Sequence, residues 1–432
     1  MAFQQGLSGL NTSSKAIDAI SNNIANSSTV GYKAANAHFA DVYASSLAGG
    51  GASQIGIGTS LAAVQQQYTQ GNITTTNNPL DISINGNGFY RMDTNGSITF
   101  TRNGQFHLDK SGYIINDQSM KLTGYPADAS GLIVPSTPKT LQVSAADLAP
   151  VATGGSVGGS FQGVKAVINL DSRSSLPTGT WASGPATGLW SPSPTTYNYS
   201  TALSVYDSLG NAHTLTFYFE KTGSGTWNVH YNVDGTTDAN ITPATQAMTF
   251  DSSGQIVTPA GGKMTISSIN LAAIGTATGK PNNATIPSFT IDFTGTTQFG
   301  SSFGTNRLEQ DGYSSGRLTG LSVGTDGVIQ GRYSNGQTRN QGQIVLANFT
   351  NPNGLQSLGN NQWSETSVSG PPLVGAPNTS SLGVLQSNSV EESNVDLTGE
   401  LVSMITQQRN YQANAQSIKT QDQIMQTLVN LR

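Results

Sequence analysis

Apolar residues recur at a seven-residue spacing at both ends of the chain. The first repeat is Phe3, Leu10, Ile17 and Ile24, and the second is Leu397, Met404, Tyr411, Ile418 and Met425. Such a repeat is typical of an α-helix whose apolar stripe packs against another helix. The pattern predicts one helix from about Ala2 to Ala25 and another from about Leu397 to Leu431, with Asp396 as the N-cap of the second.

The two stripes are the candidate interface between subunits, because one pair of helices without neighbours is expected to be only marginally stable. About six apolar side chains on the first stripe contribute on the order of 9–18 kcal/mol when buried. Ordering about 24 backbone residues costs roughly 25–50 kcal/mol, and Gly6 and Gly9 weaken the helix further. We therefore expect both termini to be largely disordered in the monomer and to order when copies pack. The predicted interface residues are Phe3, Leu7, Leu10, Ile17, Ile20, Ile24, Leu397, Leu401, Met404, Ile405, Tyr411, Ile418, Met425 and Leu428.

Between the helices the pattern changes to short alternating segments. Leu80, Ile82 and Ile84 alternate with polar residues, and Asn-Gly pairs follow at positions 85, 95 and 103. Asn-Gly between alternating segments is a strong β-hairpin signal. Further strands are predicted at 202–206, 214–219, 227–233, 248–250, 264–269 and 289–293. The turn rhythm of the first hairpins returns after residue 298, which indicates that the intervening region is an insertion.

The predicted fold is therefore a multidomain α+β chain with two nested, mainly-β domains. Both chain ends form a terminal helical, coiled-coil-like domain. This helical domain is predicted to comprise residues 1–30 and 390–432. Residues 31–70 are predicted to be a connecting segment, with a flexible break at 48–52 and a β-like patch at 55–57. The outer β domain is assigned to 71–144 with 299–375, the inserted β domain to 145–298, and a connecting loop to 376–389. An intramolecular helical hairpin on one large domain is the alternative for the chain ends.

Composition narrows the functional classes. The chain has 432 residues, a net charge of −5, 10% charged residues and no cysteine. The charge gives no support for nucleic-acid binding, and the missing cysteines exclude disulfides and thiolate metal sites. No apolar run approaches the roughly 20 residues that a membrane-spanning helix needs. The first residues lack the pattern of a cleavable signal peptide, so we expect export by another route and no direct membrane insertion.

Catalytic and metal-binding patterns are weak in this sequence. None of the histidines His38, His107, His213 and His230 has ligand spacing with a second ligand. Gly-x-Ser-x-Gly occurs at 154–158 and 300–304, but neither copy lies between a convincing strand and helix, as a nucleophile elbow requires. No cofactor, metal site or catalytic residue is predicted, and the chain is not expected to be an enzyme.

Motifs at both ends and in the first β region resemble the bacterial flagellar rod and hook family. The first motif is Asn22, Asn23, Ile24, Ala25, Asn26, then Thr29, Gly31, Tyr32 and Lys33. The C-terminal motif includes Ser393 to Leu397, Glu400, Gln408, Arg409, Asn414 and Asp422. Segments 80–90 and 101–106 resemble the outer β domain of the family, and Val205 to Asn211 with Leu215 and Phe217 resembles the outermost domain of its hook member.

The resemblance implies a structural subunit of the flagellar hook, a curved extracellular tube that carries motor torque from rod to filament. It implies polymerisation with further copies of the chain and unfolded export through the flagellar type III apparatus without a cleavable signal. Further implied partners are the distal rod, hook cap and hook–filament junction proteins. The close alternative is a distal rod subunit, against which the inserted β domain argues.

A secreted β-rich adhesin or polysaccharide-active enzyme is the remote alternative. Such an enzyme needs paired carboxylates in an aromatic-lined groove, and the sequence shows no such pairing.

Overall fold

The computed structural model describes residues 2–42, 56–128, 130–144, 146–155, 161–185 and 188–430. Within this part of the chain the fold is mixed α and β, with strands in the majority, which confirms the predicted mainly-β α+β class. The chain divides into two compact units. Unit 1 comprises Met1–Ser144, Gly320–Arg332 and Thr338–Arg432, and unit 2 comprises Ala145–Thr319 and Tyr333–Gln337.

The α-helices in the described residues are α1 (Ala2–Ala25), α2 (Leu271–Thr278) and α3 (Leu397–Asn430). The strands before unit 2 are β1 (Ala35–Val42), β2 (Gly58–Gln66), β3 (Ile73–Thr75), β4 (Ile82–Asn85), β5 (Phe89–Thr94), β6 (Ser97–Thr101), β7 (His107–Leu108), β8 (Ile114–Ile115), β9 (Lys121–Pro126) and β10 (Lys139–Thr140).

The strands that follow are β11 (Gly163–Asn169), β12 (Tyr199–Tyr206), β13 (Ala212–Gly223), β14 (Thr226–Val233), β15 (Ile241–Thr242), β16 (Thr245–Phe250), β17 (Ile256–Thr258), β18 (Lys263–Ile266), β19 (Ser268–Ile269), β20 (Phe289–Asp292) and β21 (Gly304–Gln310). The last strands are β22 (Leu318–Val323), β23 (Val328–Tyr333), β24 (Thr338–Ile344), β25 (Leu346–Asn348), β26 (Gln356–Gly359), β27 (Gln362–Ser364), β28 (Leu373–Gly375), β29 (Val384–Ser387) and β30 (Ser389–Glu391).

In unit 1 the largest sheet follows the order β22-β23-β24-β9-β5-β6-β27-β26. Its core is aromatic: the Phe100 and Phe349 rings meet edge to face with centroids 4.8 Å apart, and Phe89 meets Trp363 at 5.5 Å. Two short antiparallel pairs, β29 with β4 and β3 with β30, join the strand just before α3 to the first β segments. The C-terminal helix is therefore anchored on strands from the start of the chain.

Unit 2 has a five-stranded sheet, β12-β13-β14-β16-β17, and a four-stranded sheet, β18-β20-β11-β21. Apolar side chains of both sheets share one core, in which the Phe217 and Phe293 rings lie 6.2 Å apart. Strand β13 contributes to this core through its alternating apolar residues, because Leu215, Phe217 and Phe219 all lie on its buried face.

Three features of the chain differ from the sequence predictions. The segment 31–70, predicted as a connection, contains the antiparallel hairpin of β1 and β2. Unit 2 continues past residue 298 to Thr319, because β21 pairs with β11 in its four-stranded sheet. The predicted loop 376–389 contains β29, which pairs with β4.

Two local features were also misjudged. Helix α2 was not predicted, although Asn270 accepts a hydrogen bond from the Ala273 N–H as its N-cap and Gly279 closes it at φ 73°. The predicted β-like patch at 55–57 is not a strand where it is described, at residues 56 and 57. The predicted break at 48–52 lies outside the described residues, as does part of the Gly-x-Ser-x-Gly pattern at 154–158.

Within the described residues, no helix combines the length and hydropathy that crossing a membrane requires. The same residues contain no group of three or more His, Asp or Glu side chains placed to hold a metal ion.

Candidate subunit interface and the junction of the chain ends

Helix α1 packs on α3 through its small residues. A Cβ atom at Gly6 would lie 2.8 Å from Cγ1 of Ile418, and one at Gly9 would lie 2.7 Å from Nδ2 of Asn414. Thr12, Ser13 and Ala16 continue the buried face of α1. The two helices thus approach closely where the sequence lacks side-chain bulk, and a larger residue at 6 or 9 would force the side chain of Ile418 or Asn414 to shift.

Much of the predicted apolar stripe is uncovered within one chain. Phe3 is 53% exposed, Ile405 51% and Met425 61%. Leu7, Leu397, Leu401 and Tyr411 are also exposed, whereas the stripe residues with intermediate burial are Leu10, Ile17, Ile20, Ile24, Met404 and Ile418. The side chain of Leu428 lies outside the described ones. Val402 and Ile424 of α3 are exposed apolar residues that the sequence analysis missed.

The β1–β2 hairpin lies beside α1. The Gln5 side chain donates a 2.6 Å hydrogen bond to the Gly56 carbonyl, and the Thr59 N–H donates to Oγ of Ser8. Gly58, at φ 138°, has Ser8 where a Cβ atom would project, so glycine is required for this close approach. The hairpin was not part of the predicted interface.

Asn23 is the buried centre of the N-terminal signature motif. Its Nδ2 donates to the Ala35 carbonyl at 3.0 Å and to Oε1 of Glu400 at 2.8 Å. Its Oδ1 accepts from the Ala35 N–H at 2.9 Å and from the Tyr32 hydroxyl at 3.1 Å. One amide side chain therefore links the end of α1, the start of β1 and the first turn of α3.

The Tyr32 hydroxyl is part of the same polar group. Burial raises the pKa of Tyr32, and the nearby Glu400 carboxylate raises it further. The hydroxyl consequently remains protonated and able to donate to Asn23 over the whole neutral range.

Lys33, the last signature residue, belongs to a fully buried ion triad with Glu391 and Arg102. The Lys33 ammonium lies 2.7 Å from Oε1 of Glu391, and the Arg102 guanidinium lies 3.0 Å from Oε2 of the same carboxylate. Lys33 also donates to the Thr69 carbonyl at 2.7 Å, and Arg102 donates to the Gly86 carbonyl at 2.7 Å. Burial lowers the pKa of Lys33, and Glu391 opposes that shift.

Gly31 makes the turn that brings Lys33 inward. It has φ 71°, and a Cβ atom there would lie 2.7 Å from the Asn103 backbone nitrogen. Its N–H donates to the Glu391 carbonyl at 2.8 Å. Both the left-handed conformation and the close contact require glycine.

The remaining signature residues cap α1 at the surface. The Asn26 side chain donates to the Asn22 carbonyl at 2.9 Å, and the Thr29 hydroxyl donates to Oδ1 of Asn26 at 3.2 Å. Ala25 is exposed, and its methyl side chain has no polar atom with which to join this network. Asn22, Asn26 and Thr29 line a groove of about 880 Å³ that Trp363 also borders.

Several residues of this junction were not predicted as site residues. They are Arg102, Glu391, Asn394 and Glu400. Asn394 accepts from the Ala34 N–H at 2.7 Å and donates to the Gln67 carbonyl at 2.7 Å. Arg102, Asn394 and Glu400 all lie inside motifs that carry the family resemblance, which was a usable signal; Glu391 lies just before one.

Comparisons with known proteins match four parts of the chain. The family descriptions are "Flagella basal body rod protein" over residues 3–33, "Flagellar hook protein FlgE/F/G D1 domain" over 83–146, "Flagellar basal body protein FlaE D2 domain" over 169–313 and "Flagellar basal body rod FlgEFG protein C-terminal" over 386–431. The order of these matches along the chain is that of an axial protein of the bacterial flagellum.

Full-length relatives specify the family. The chain is 40% identical over 442 residues to the flagellar hook protein FlgE of Escherichia coli K12, and 40% identical over 438 residues to that of Salmonella typhimurium LT2, with 100% of each chain covered. It is 31% identical to the hook protein of Borreliella burgdorferi B31, covering 100% of this chain and 99% of the relative. The chain belongs to the flagellar hook protein family and is a structural subunit of the hook.

A solved structure shares the fold. The crystal structure of the Helicobacter pylori flagellar hook protein FlgE2 matches with a TM-score of 0.51 at 14% identity, covering 74% of this chain and 100% of that one. At this identity the match concerns the fold alone.

Proposed function

We propose that the exposed stripes of α1 and α3 are the surfaces through which copies of the chain pack into the inner wall of the hook. The single observation that carries this proposal is that α1 has two different faces, one packed on α3 and one exposed. Its small face, with Gly6 and Gly9, faces α3, while Phe3 and Leu7 remain exposed. Exposed apolar residues in rows mark interaction sites, and one patch that meets a different patch on the next copy builds an open helical tube.

The terminal helices in this proposal form the coiled-coil-like domain at residues 1–30 and 390–432. The β regions of unit 1 and unit 2, with the bounds that the structure gives them, lie outside these helices in the assembled tube. The continuous inner helices carry the motor torque, and the weakly charged outer surfaces let neighbouring copies slide as the tube bends. The chain acts as a structural part rather than as a catalyst.

The proposed partners follow from this role. They are further copies of the chain, the distal rod protein, the hook cap protein, the hook–filament junction protein and the flagellar type III export apparatus. In this proposal the subunit leaves the cell unfolded, without a cleavable signal, and folds at the tip of the growing tube. We propose neither a cofactor nor contact with nucleic acid or membrane lipid.

A pair of substitutions on α3 tests the proposed interface. Leu401→Glu with Ile405→Glu places charges on exposed stripe positions, so the folded monomer should keep its stability to within about 0.5 kcal/mol for each surface change. Tube formation, observed by electron microscopy of purified protein, should be lost together with swimming of cells that carry the variant. Thr406→Glu with Ser417→Glu, at exposed polar positions of the same helix that lie off the apolar stripe, is the matched control. Normal tubes from the stripe variant would overturn the proposed interface.

A further inference from the structure

The Lys33–Glu391–Arg102 triad brings together three segments that are far apart in sequence. Lys33 follows α1, Arg102 follows β6, and Glu391 ends β30, the strand that precedes α3. The side chains of Lys33 and Glu391 have no solvent exposure, and that of Arg102 has 4%. Two cations share one carboxylate, so the triad carries an excess positive charge in the interior. Nε of Arg102 is buried and has no hydrogen-bond partner.

Such an arrangement is a poor source of stability. Removing charges from water costs several kcal/mol per ion, and well-packed apolar residues in the place of a buried ion group are often neutral or stabilising. A better-attested role for buried polar groups is the choice of one register among several. The triad is therefore a candidate for selecting one register of strand pairing over the alternative registers.

The strand pairing whose register the triad could select is the short antiparallel pairing of β3 with β30. Its ladder contains the pairs Ile73–Glu391, Thr74–Val390 and Thr75–Ser389. One backbone hydrogen bond extends it at each end, from the Thr76 N–H to the Asn388 carbonyl and from the Glu392 N–H to the Asn72 carbonyl. Asn388, at φ 53°, separates β30 from β29. Beyond it, the Ser389 N–H donates to the Asp81 carbonyl and the Ser389 hydroxyl lies 2.7 Å from that of Ser83. A ladder this short has few side chains of its own with which to select a register.

A shift by one residue at this pairing would change the position of the C-terminal helix. Glu391 would turn to the opposite face of the strand, away from Lys33 and Arg102. The chain leading to α3 would move by about 3.3 Å along β3. Asn394 would lose its bond to the Ala34 N–H, and α3 would present a displaced face to α1.

We propose that Glu391, held between Lys33 and Arg102, is a register lock that fixes where α3 begins relative to α1 and so gives every subunit the same helical surface. Glu391 is thus a positioning residue. It is not one of the predicted interface residues, and it acts on the interface by setting the starting point of the helix. This inference rests on the proposed packing of the helical stripes between copies.

Engineered cysteines can report the register directly, because the natural chain has none. Thr75→Cys with Ser389→Cys marks the native pairing. Thr74→Cys with Ser389→Cys, or Thr76→Cys with Ser389→Cys, marks the two neighbouring registers. With the triad intact, mild oxidation should form the disulfide only in the native reporter. In the Glu391→Gln background, which keeps the shape and removes the charge, we expect about a tenfold increase in the shifted disulfides.

An apolar triad separates positioning from stability. Lys33→Met, Arg102→Met and Glu391→Leu together remove all the buried charges while filling a similar volume. The urea midpoint of this variant should equal or exceed that of the unmodified chain, while its tubes should vary in diameter and curvature. Glu392→Gln, on the neighbouring carboxylate that bonds Asn72, should change neither property.

The outcomes decide between the possibilities. Native disulfides alone in the Glu391→Gln background, or uniform tubes from the apolar triad, would overturn the register lock. Unfolding of both triad variants would also overturn it, because the triad would then be a stability element. The proposed interface would be wrong if the unmodified chain forms uniform tubes and charges at Leu401 and Ile405 leave assembly intact. The disulfide experiment would still test the register lock in that case.

Discussion

Gly6 of α1 lies directly against Ile418 of α3, with only 2.8 Å between Cγ1 of Ile418 and the position of a Cβ atom at residue 6. The two helices can approach this closely because residue 6 has no side chain. A glycine inside a helix ordinarily costs about 0.5–1 kcal/mol relative to alanine. The contact with Ile418 explains why that cost is tolerated here.

Gly6→Val should separate the terminal helices. Extra methyl groups in a packed contact typically cost about 1–3 kcal/mol, and we expect lower helix content by circular dichroism and a lower urea midpoint. Ser21→Val, at an exposed position of the same helix, controls for the helix propensity of valine. Adding Ile418→Ala to Gly6→Val should restore part of the loss. Equal effects of the two valines would contradict this account of the contact.

Asn23 and Asn22 are adjacent in the signature but should differ in their contribution to stability. Asn23→Ala leaves the Ala35 backbone groups and the Glu400 carboxylate without their buried partner, so we expect a loss of about 1–3 kcal/mol in the free energy of unfolding. Asn22→Ala removes an exposed acceptor for Asn26 and should cost less than about 0.5 kcal/mol. Urea unfolding of both variants measures the difference, and a larger loss for Asn22→Ala would be inconsistent with the geometry.

The stability of unit 2 should depend on pH through His213. This imidazole lies 2.6 Å from Asp234 and 3.3 Å from Asp207. The hydrogen bond to Asp234 raises the pKa of His213 most, although burial opposes it. Burial raises the pKa of each carboxyl, but hydrogen bonds outweigh it, so the pKa values of Asp207 and Asp234 are lowered.

The direction of the pH effect follows from these shifts. The histidine contribution is complete below the unfolded pKa of about 6.5 and is lost as the pH rises through the higher folded pKa. The carboxyl contributions are present above about pH 3.9 and are lost as the pH falls through the lowered values. The cluster should therefore stabilise unit 2 most between about pH 4 and 6.5.

Thermal unfolding followed from pH 4 to 9 tests this in His213→Asn against the unmodified chain. The stability difference between the two should shrink as the pH rises above about 6.5. The buried His230 and the nearby Lys280 are common to both proteins and cancel in the difference. His38→Asn, on the exposed face of β1 in unit 1, is the control. A constant difference across the range would refute a role for the charge on His213.

Helix α3 should exchange its amide protons unevenly in the monomer. It has 34 residues, against 24 in α1, so it is about 15 Å longer. Amides near Asn414 and Ile418, against α1, should exchange more slowly than those of residues 421–427. All of them should become protected in tubes. Full protection of 421–427 in dilute monomer would contradict the expectation that copies of the chain provide the missing cover.

The positions of the long helices were readable from the apolar repeat, but their contact face was not. The repeat predicted helices at 2–25 and 397–431, and the structure has them at Ala2–Ala25 and Leu397–Asn430. Gly6 and Gly9 were interpreted only as weak helix formers, because propensity scales contain no information about a partner helix. The face that packs within one chain therefore became visible only with α3 in place.

The buried triad could not be predicted for a different reason. Charged residues are almost always exposed, and nothing local marks Glu391 as an exception. Its partner Arg102 lies 289 positions away, and no sequence pattern of either segment specifies the other. The β1 strand was missed because its apolar positions are mostly alanine, a weak strand former, and because its apolar–polar alternation is interrupted beside the register shift at His38 and Phe39.

The two polypeptide segments that bound unit 2 run side by side within it. Leu148 bridges Gly316 and Val151 bridges Tyr313 in antiparallel fashion, so the first and last residues of the insertion meet at one narrow stem. Because the two ends of the insertion are adjacent in space, we expect that another domain with adjacent termini can replace it without separating the two flanking segments. We expect a chain with such a graft to keep the circular dichroism signal of its long helices and to present the grafted domain on assembled tubes, where a labelled antibody can count it.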